Sequence, residues 1–209
     1  MDGIISFYRD GGAWMHAILL TMVFCTAIII ERFIYINFKN RIDTTAFVNK
    51  ILELIQKGSV STAMEFCNVS KAALPRITKA GLEEYGKAPE DIQQAMELAA
   101  MSELPKLEKR TTYLSLLANI ATLLGLLGTI FGLIDSFKAV MVADASQKAT
   151  LLAQGIAVAM NTTAFGLVVA IPTLVFYSML NERANAVINE INENTARIYQ
   201  RLIRGRGER

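Results

Sequence analysis

Three long stretches without formal charge constrain this chain more than any other feature. Residues 13–30, 111–134 and 149–181 contain no Asp, Glu, Lys or Arg. About 20 consecutive apolar residues cross the hydrocarbon core of a bilayer as a helix. Lipid offers backbone groups no partner, so a single segment satisfies them only as a helix. The expected fold is therefore an all-α integral membrane protein. It has three transmembrane helices, long helices extending into the cytoplasm, and a small helical cytoplasmic segment. Charged residues are 19% of the chain, below the roughly 25% of soluble domains, and the deficit is concentrated in these stretches.

The order of segments follows from the charges. An N-terminal periplasmic segment covers 1–12, and the first span covers 13–36, closed by Glu31 and Arg32. A cytoplasmic helical segment covers 37–110. The second span covers 111–135, a short periplasmic loop 136–148, the third span 149–181 and a cytoplasmic C-terminal helix 182–209. Arg9 is the only Lys or Arg before the first span, and Lys138 and Lys148 flank the short loop. Most of the rest lie in the middle segment and the tail. The positive-inside rule then places the N-terminus outside and both the middle segment and the tail in the cytoplasm.

The third stretch is longer than a bilayer needs. It tilts, kinks at Pro172, or projects beyond the membrane. In the middle segment Ile51, Leu54 and Ile55 recur at helical spacing, as do Met96, Ala99 and Ala100. Pro75, Pro89 and Gly58 punctuate it, and its last helix is expected to run into the second span despite Pro105. The first helix is expected to continue past the membrane surface through Phe33–Ile36. No basic n-region precedes the first stretch, which does not read as a cleaved signal.

Several functions are excluded by what is missing. No basic cluster with interleaved aromatics points to nucleic acid. Cys25 and Cys67 have neither disulfide nor metal spacing, so no metal or other cofactor is implied. His16, the one histidine, opens the first apolar helix and reads as an interfacial or packed residue. An intramembrane enzyme needs an aspartate pair, a Ser/His dyad or a metal cluster at membrane depth, and none is present, so the chain is not expected to be an enzyme.

The second span carries Gly125, Thr129, Gly132 and Ser136 on one helical face, with Gly128 nearby. The third carries Gly155, Ala159, Thr163, Gly166 and Ala170 on one face. Small residues allow close helix packing in lipid, and a buried Thr can bond a carbonyl of its own helix. On spacing alone this favours a tight bundle over transport. Neither span has an ionisable group at mid-depth, so any ion pathway needs a charge from a partner. Asp135, at the outer end, is an interfacial carboxylate or a pathway residue. In the tail Arg197, Arg201 and Arg204 fall at i, i+4 and i+7. They are an ordinary solvated face or the lining of a basic cytoplasmic mouth.

Two motifs carry a resemblance. GLLGTIFGLIDSF (125–137) resembles the GLLGT-containing second-helix motif of TolQ and ExbB proteins. NTTAFGLVVAIPTLVFYS (161–178) resembles their third-helix T-A-x-G-L-x-x-A-I-P pattern, in which Pro172 sits. IIIERFIYI (28–36) resembles the E-R that closes their first helix. Order and spacing agree across nearly the whole chain, which resembles the TolQ/ExbB branch of the MotA/TolQ/ExbB proton channel family.

The resemblance implies a homo-oligomeric ring, a pentamer, in the bacterial inner membrane. It implies two copies of an ExbD/TolR-like single-span partner whose helix carries an aspartate. Thr129 and Thr163 match the family's pore-facing threonines, with Asn161 and Thr162 as added polar groups beside Thr163. The implied function is that of a motor stator converting proton, or sodium, motive force into mechanical work. One position departs. Many TolQ and ExbB proteins carry a glutamate five residues before the third-helix threonine, where this chain has Val158. The relay through that glutamate is absent or replaced. The alternative from another class is a structural membrane scaffold without its own ion pathway.

Overall fold

The computed structural model describes residues 11–39, 43–70 and 72–207, the side chains of 38, 39 and 205–207 excepted. The tail arginines are thus covered through Arg204, while Arg9 and Arg209 lie outside the described residues. No strand occurs among the described residues. The helices are α1 (Trp14–Ile34), followed by one π-helical turn at Tyr35–Lys39, then α2 (Thr44–Gln56), α3 (Val60–Asn68), α4 (Ala73–Glu83), α5 (Pro89–Glu103), α6 (Pro105–Glu108), α7 (Thr111–Val142) and α8 (Lys148–Gly207). Three of the helical stretches are long and apolar enough to cross a membrane.

The chain divides into two compact units. The first holds the described residues up to Ile30 together with Arg110–Met179. Its packing is inverted relative to a soluble protein. Ala118, Ala121, Val169 and Ala170 are buried beside Ile18, whereas Leu123, Val168 and Ile171 face outward, each about three-fifths exposed at 63%, 63% and 59%. Small residues inside and large apolar ones outside suit a solvent of lipid tails, where close backbone approach rather than water exclusion holds helices together.

The second unit holds Glu31–Lys109 and the chain from Leu180 onward. It is built like a soluble domain. Helix α2 starts where the Asp43 carboxylate accepts the Ala46 N–H at 2.9 Å, and it buries Phe47, Val48, Ile51, Leu54 and Ile55 on one face. Gly58, at φ 71°, ends it in a left-handed turn that Gly tolerates at little cost. Pro75 and Pro89 fall in first turns, where a missing N–H costs nothing. Leu74, Ile77, Leu82, Ile92 and Met96 join Ile191, Ile198 and Leu202 of α8 in one core. Ala99 and Ala100 pack at its edge.

Cys67 is buried in this core at 2% exposure. Burial pushes its thiol pKa up to about 12, with Lys79 opposing weakly. The thiolate is the reactive species. Alkylation of Cys67 at pH 8 is therefore expected to run about a thousandfold slower than that of a free thiol with pKa near 8.5. Mass-mapped labelling with and without denaturant measures this ratio, and labelling of the folded protein at the free-thiol rate would contradict the burial.

Two boundaries differ from the sequence expectation. The helix expected to pass through Pro105 does keep α-helical dihedrals at Leu104, but it ends at Lys109 (ψ 133°) and Arg110 (φ 69°). The break is thus set by the two residues after α6, because Pro105 starts a turn rather than interrupting one. The stretch assigned to the 136–148 loop is helical through Val142. Asp135 pairs with Lys138 one turn later at 3.5 Å, and the helix outlasts its uncharged run. The third apolar stretch lies within a single helix, since α8 runs from Lys148 past Pro172 to Gly207.

Candidate functional site

Helices α7 and α8 meet along their small-residue faces. A Cβ added at Gly125 would lie 3.2 Å from the Cα of Thr163 and 3.4 Å from that of Gly166. One added at Gly166 would lie 2.7 Å from the carbonyl oxygen of Ala121. Gly132 faces Ala159 at 3.1 Å, and Gly155 lies against the Ser136 side chain. A methyl group would collide with backbone at Gly166 and would push its neighbours aside at Gly125 and Gly132, so glycine lets the two helices approach closely. Ala170 is buried on the same side.

This close approach brings two hydroxyls together. Thr129 Oγ1 and Thr163 Oγ1 are in hydrogen-bond contact across the pair. Thr163 Oγ1 donates to the Gly125 carbonyl at 3.0 Å. Thr129 Oγ1 has the Gly125 carbonyl at 3.1 Å and the Ala159 carbonyl at 3.3 Å within reach. Both threonines are half-buried. The chemistry is lopsided, because a hydroxyl brings one proton and two lone pairs, and a carbonyl brings lone pairs only. The cluster of two hydroxyls and two carbonyls is rich in acceptors and short of donors. It suits a protonated carboxyl or a hard cation as it stands, and a carboxylate when a hydroxyl turns its proton from a backbone carbonyl toward it.

The remaining residues singled out from the sequence lie elsewhere. Thr162 is 1% exposed. Its hydroxyl is directed to the carbonyls of Val158 and Gly11, each at 3.0 Å, so it ties α8 to the start of α1 instead of joining the pair. The reason is angular: neighbouring residues on a helix point about 100° apart. Gly128 belongs to this second contact, facing the Thr162 methyl group and Trp14. Trp14 stacks on Phe131 with ring centroids 5.3 Å apart. Asn161 is half-buried and makes no hydrogen bond to the threonine pair. Asp135 is exposed and paired with Lys138, six residues along the helix from Thr129.

In the second unit Arg197, Arg201 and Arg204 line one cleft of about 320 Å³ with Leu52, Gln56 and Gln200. Sequence reasoning placed the arginines on one face and missed the α2 wall opposite them. It also missed the fate of Arg32. That side chain is 5% exposed, bonded to Glu31 at 3.2 Å and to the Lys106 carbonyl at 3.3 Å. Its guanidinium lies 4.9 Å from the Tyr35 ring centroid. A basic residue directly after an uncharged run is the available signal, but it does not distinguish a buried clamp from an interfacial anchor.

The fold and this pair define an α-helical membrane protein with an acceptor-rich, charge-free crossing between α7 and α8 in its first unit. Residues 69–193 match the MotA/TolQ/ExbB proton channel family, and the chain belongs to that family, whose members are channel-type proteins rather than enzymes. It is 30% identical over 196 residues to a biopolymer transport protein, ExbB-like 3, of Synechocystis sp., covering 92% of this chain and 93% of that one. It is 39% identical over 106 residues to the Tol-Pal system protein TolQ of Haemophilus influenzae, covering 48% of this chain and 45% of that one. The fold is similar to that of C. jejuni MotAB, with TM-score 0.65 at 15% identity over 96% of this chain and 78% of that one.

Proposed function

We propose that this chain is the ring-forming stator subunit of an inner-membrane motor, with its ion pathway at the Thr129–Thr163 pair. The observation that carries this reading is the acceptor-rich pair set in spans without an ionisable side chain. A carboxylate in a bilayer is costly when charged. Hydroxyls at its depth donate to the charged form and accept from the protonated one, which eases both states. The charge then comes from a single-span partner of ExbD/TolR type, two copies inside five copies of this chain. The N-terminus faces the periplasm and the second unit the cytoplasm, as the distribution of Lys and Arg requires. Each elementary charge crossing supplies about 2.3 kcal/mol per 100 mV, and the tight glycine crossing keeps α7 and α8 closed to uncoupled leak.

The transported ion is the proton in this reading. Val158 leaves α8 without a relay carboxylate, so the hydroxyl pair and the partner's acid act alone. Thr162 is committed to Gly11, which removes one of the polar groups that a sodium shell would use.

A second reading has its own support. The crossings at Gly125, Gly132, Gly155 and Gly166 account for the small-residue faces by packing alone, as a scaffold requires. The native mass of the complex, purified with and without a co-expressed ExbD/TolR-like protein, tests both. Five copies of this chain holding two partner chains is the expected result. A monomer or small oligomer that ignores such partners would remove the stator reading and leave the scaffold.

A further inference from the structure

The second unit carries two unlike faces on opposite flanks of α8. On one flank Tyr199 reaches α5, its hydroxyl near the Pro89 carbonyl (3.4 Å) and Gln93 Oε1 (3.2 Å). Arg197 and Arg201 stand two residues either side of Tyr199, each about 200° round the helix from it. They therefore point to the other flank, where α2 supplies Leu52 and Gln56. Among the described residues no carboxylate pairs with Arg201 or Arg204. Arg197 is held only by Glu193 at 2.6 Å, with both side chains 63% exposed, and a surface pair of this kind is weak and easily exchanged for another partner.

The outward face of α5 is the complement. Glu90 and Glu97 are exposed and lie seven residues apart, as Arg197 and Arg204 do. Both spacings correspond to about 10.5 Å along a helix. Beside Glu97, Leu98 and Met101 are 60% and 72% exposed, large apolar side chains on a unit otherwise packed like a soluble domain. Acid faces outward on one flank of α8 and arginine on the other, and a surface of that kind joins to a copy of itself head to tail.

We infer that the Glu90–Glu97 face of α5 in one copy docks into the Arg197–Arg201–Arg204 cleft of the next copy. The occupant is a second copy because the charge and the spacing that match the cleft are on this chain. A heterologous contact of this kind generates a ring when its rotation closes. The inference rests on the ring of the proposed function and adds where the copies touch outside the membrane. It replaces the picture of the three arginines as an open mouth with one in which neighbouring carboxylates neutralise them.

The test uses two differently tagged full-length chains, one carrying Gln94→Cys and the other Gln200→Cys, co-expressed with the partner. Cys25 and Cys67 are buried and give a low background. A disulfide between the two tags is the expected product. Glu90→Arg with Glu97→Arg, or Arg197→Glu with Arg204→Glu, should each lower its yield about tenfold, the effect of roughly 1.4 kcal/mol. Chains carrying both reversals should recover it. Capture of the partner instead of a second copy overturns the inference. So does a ring of unchanged native mass in which the cross-link never forms or ignores both reversals, and in that case the stator reading stands. Loss of the ring in the unmodified protein removes both together.

Discussion

Thr163→Val is expected to abolish ion-driven work while leaving the assembled complex intact. The two side chains have nearly the same shape, so the glycine crossing survives. The stability lost is the hydrogen bond to the Gly125 carbonyl and the contact with the Thr129 hydroxyl, and interhelical bonds in membranes average about 0.6 kcal/mol each. Thr129 keeps acceptors in Gly125 and Ala159, so no donor is orphaned. The functional loss is larger. A hydrogen bond to a charged group contributes about 1.5–3 kcal/mol, which corresponds to roughly one to two orders of magnitude in the rate of charge transfer. Native mass together with ion flux in reconstituted vesicles separates the two effects. An intact complex with undiminished flux would remove the pathway role and favour the scaffold.

Gly166→Ala is expected to have the opposite signature, with assembly lost before any question of flux arises. Its new methyl group would sit 2.7 Å from a backbone carbonyl oxygen and 3.1 Å from the Gly125 Cα. Backbone atoms of two packed helices cannot step aside as a flexible side chain can, and overpacking costs about 1–3 kcal/mol or more. The same change at Gly132 meets chiefly the Ala159 methyl group at 3.1 Å and should cost less. Thermal unfolding in one detergent, followed by loss of the monodisperse peak, gives the ranking. If both variants unfolded and eluted like the unmodified protein, α7 and α8 would not be packed along this face.

The threonines were legible as a pair only through motif resemblance. Periodicity put Thr129 and Thr163 each on a small-residue face, but packing in lipid explains such a face equally well. What distinguishes the two explanations is the count of donors and acceptors at the crossing, which depends on Gly125 and Ala159 carbonyls contributed by different helices. Thr162 shows the limit most clearly. Its neighbour Thr163 and its own chemistry suggested a shared role, yet its hydroxyl is spent on Gly11, far away in sequence. The arginines of the tail share one face by their spacing, while the α2 wall of their cleft needed the folded unit.

The sequence alone determined the three spans, the helical class and the family. These follow from uncharged length and from local motifs, and lipid leaves a backbone few alternatives. Tertiary structure decided which small residues face which, how the hydroxyls share their acceptors, and where α5 and α8 present opposite charges. Those features join residues far apart in the chain, through contacts whose geometry no local pattern encodes.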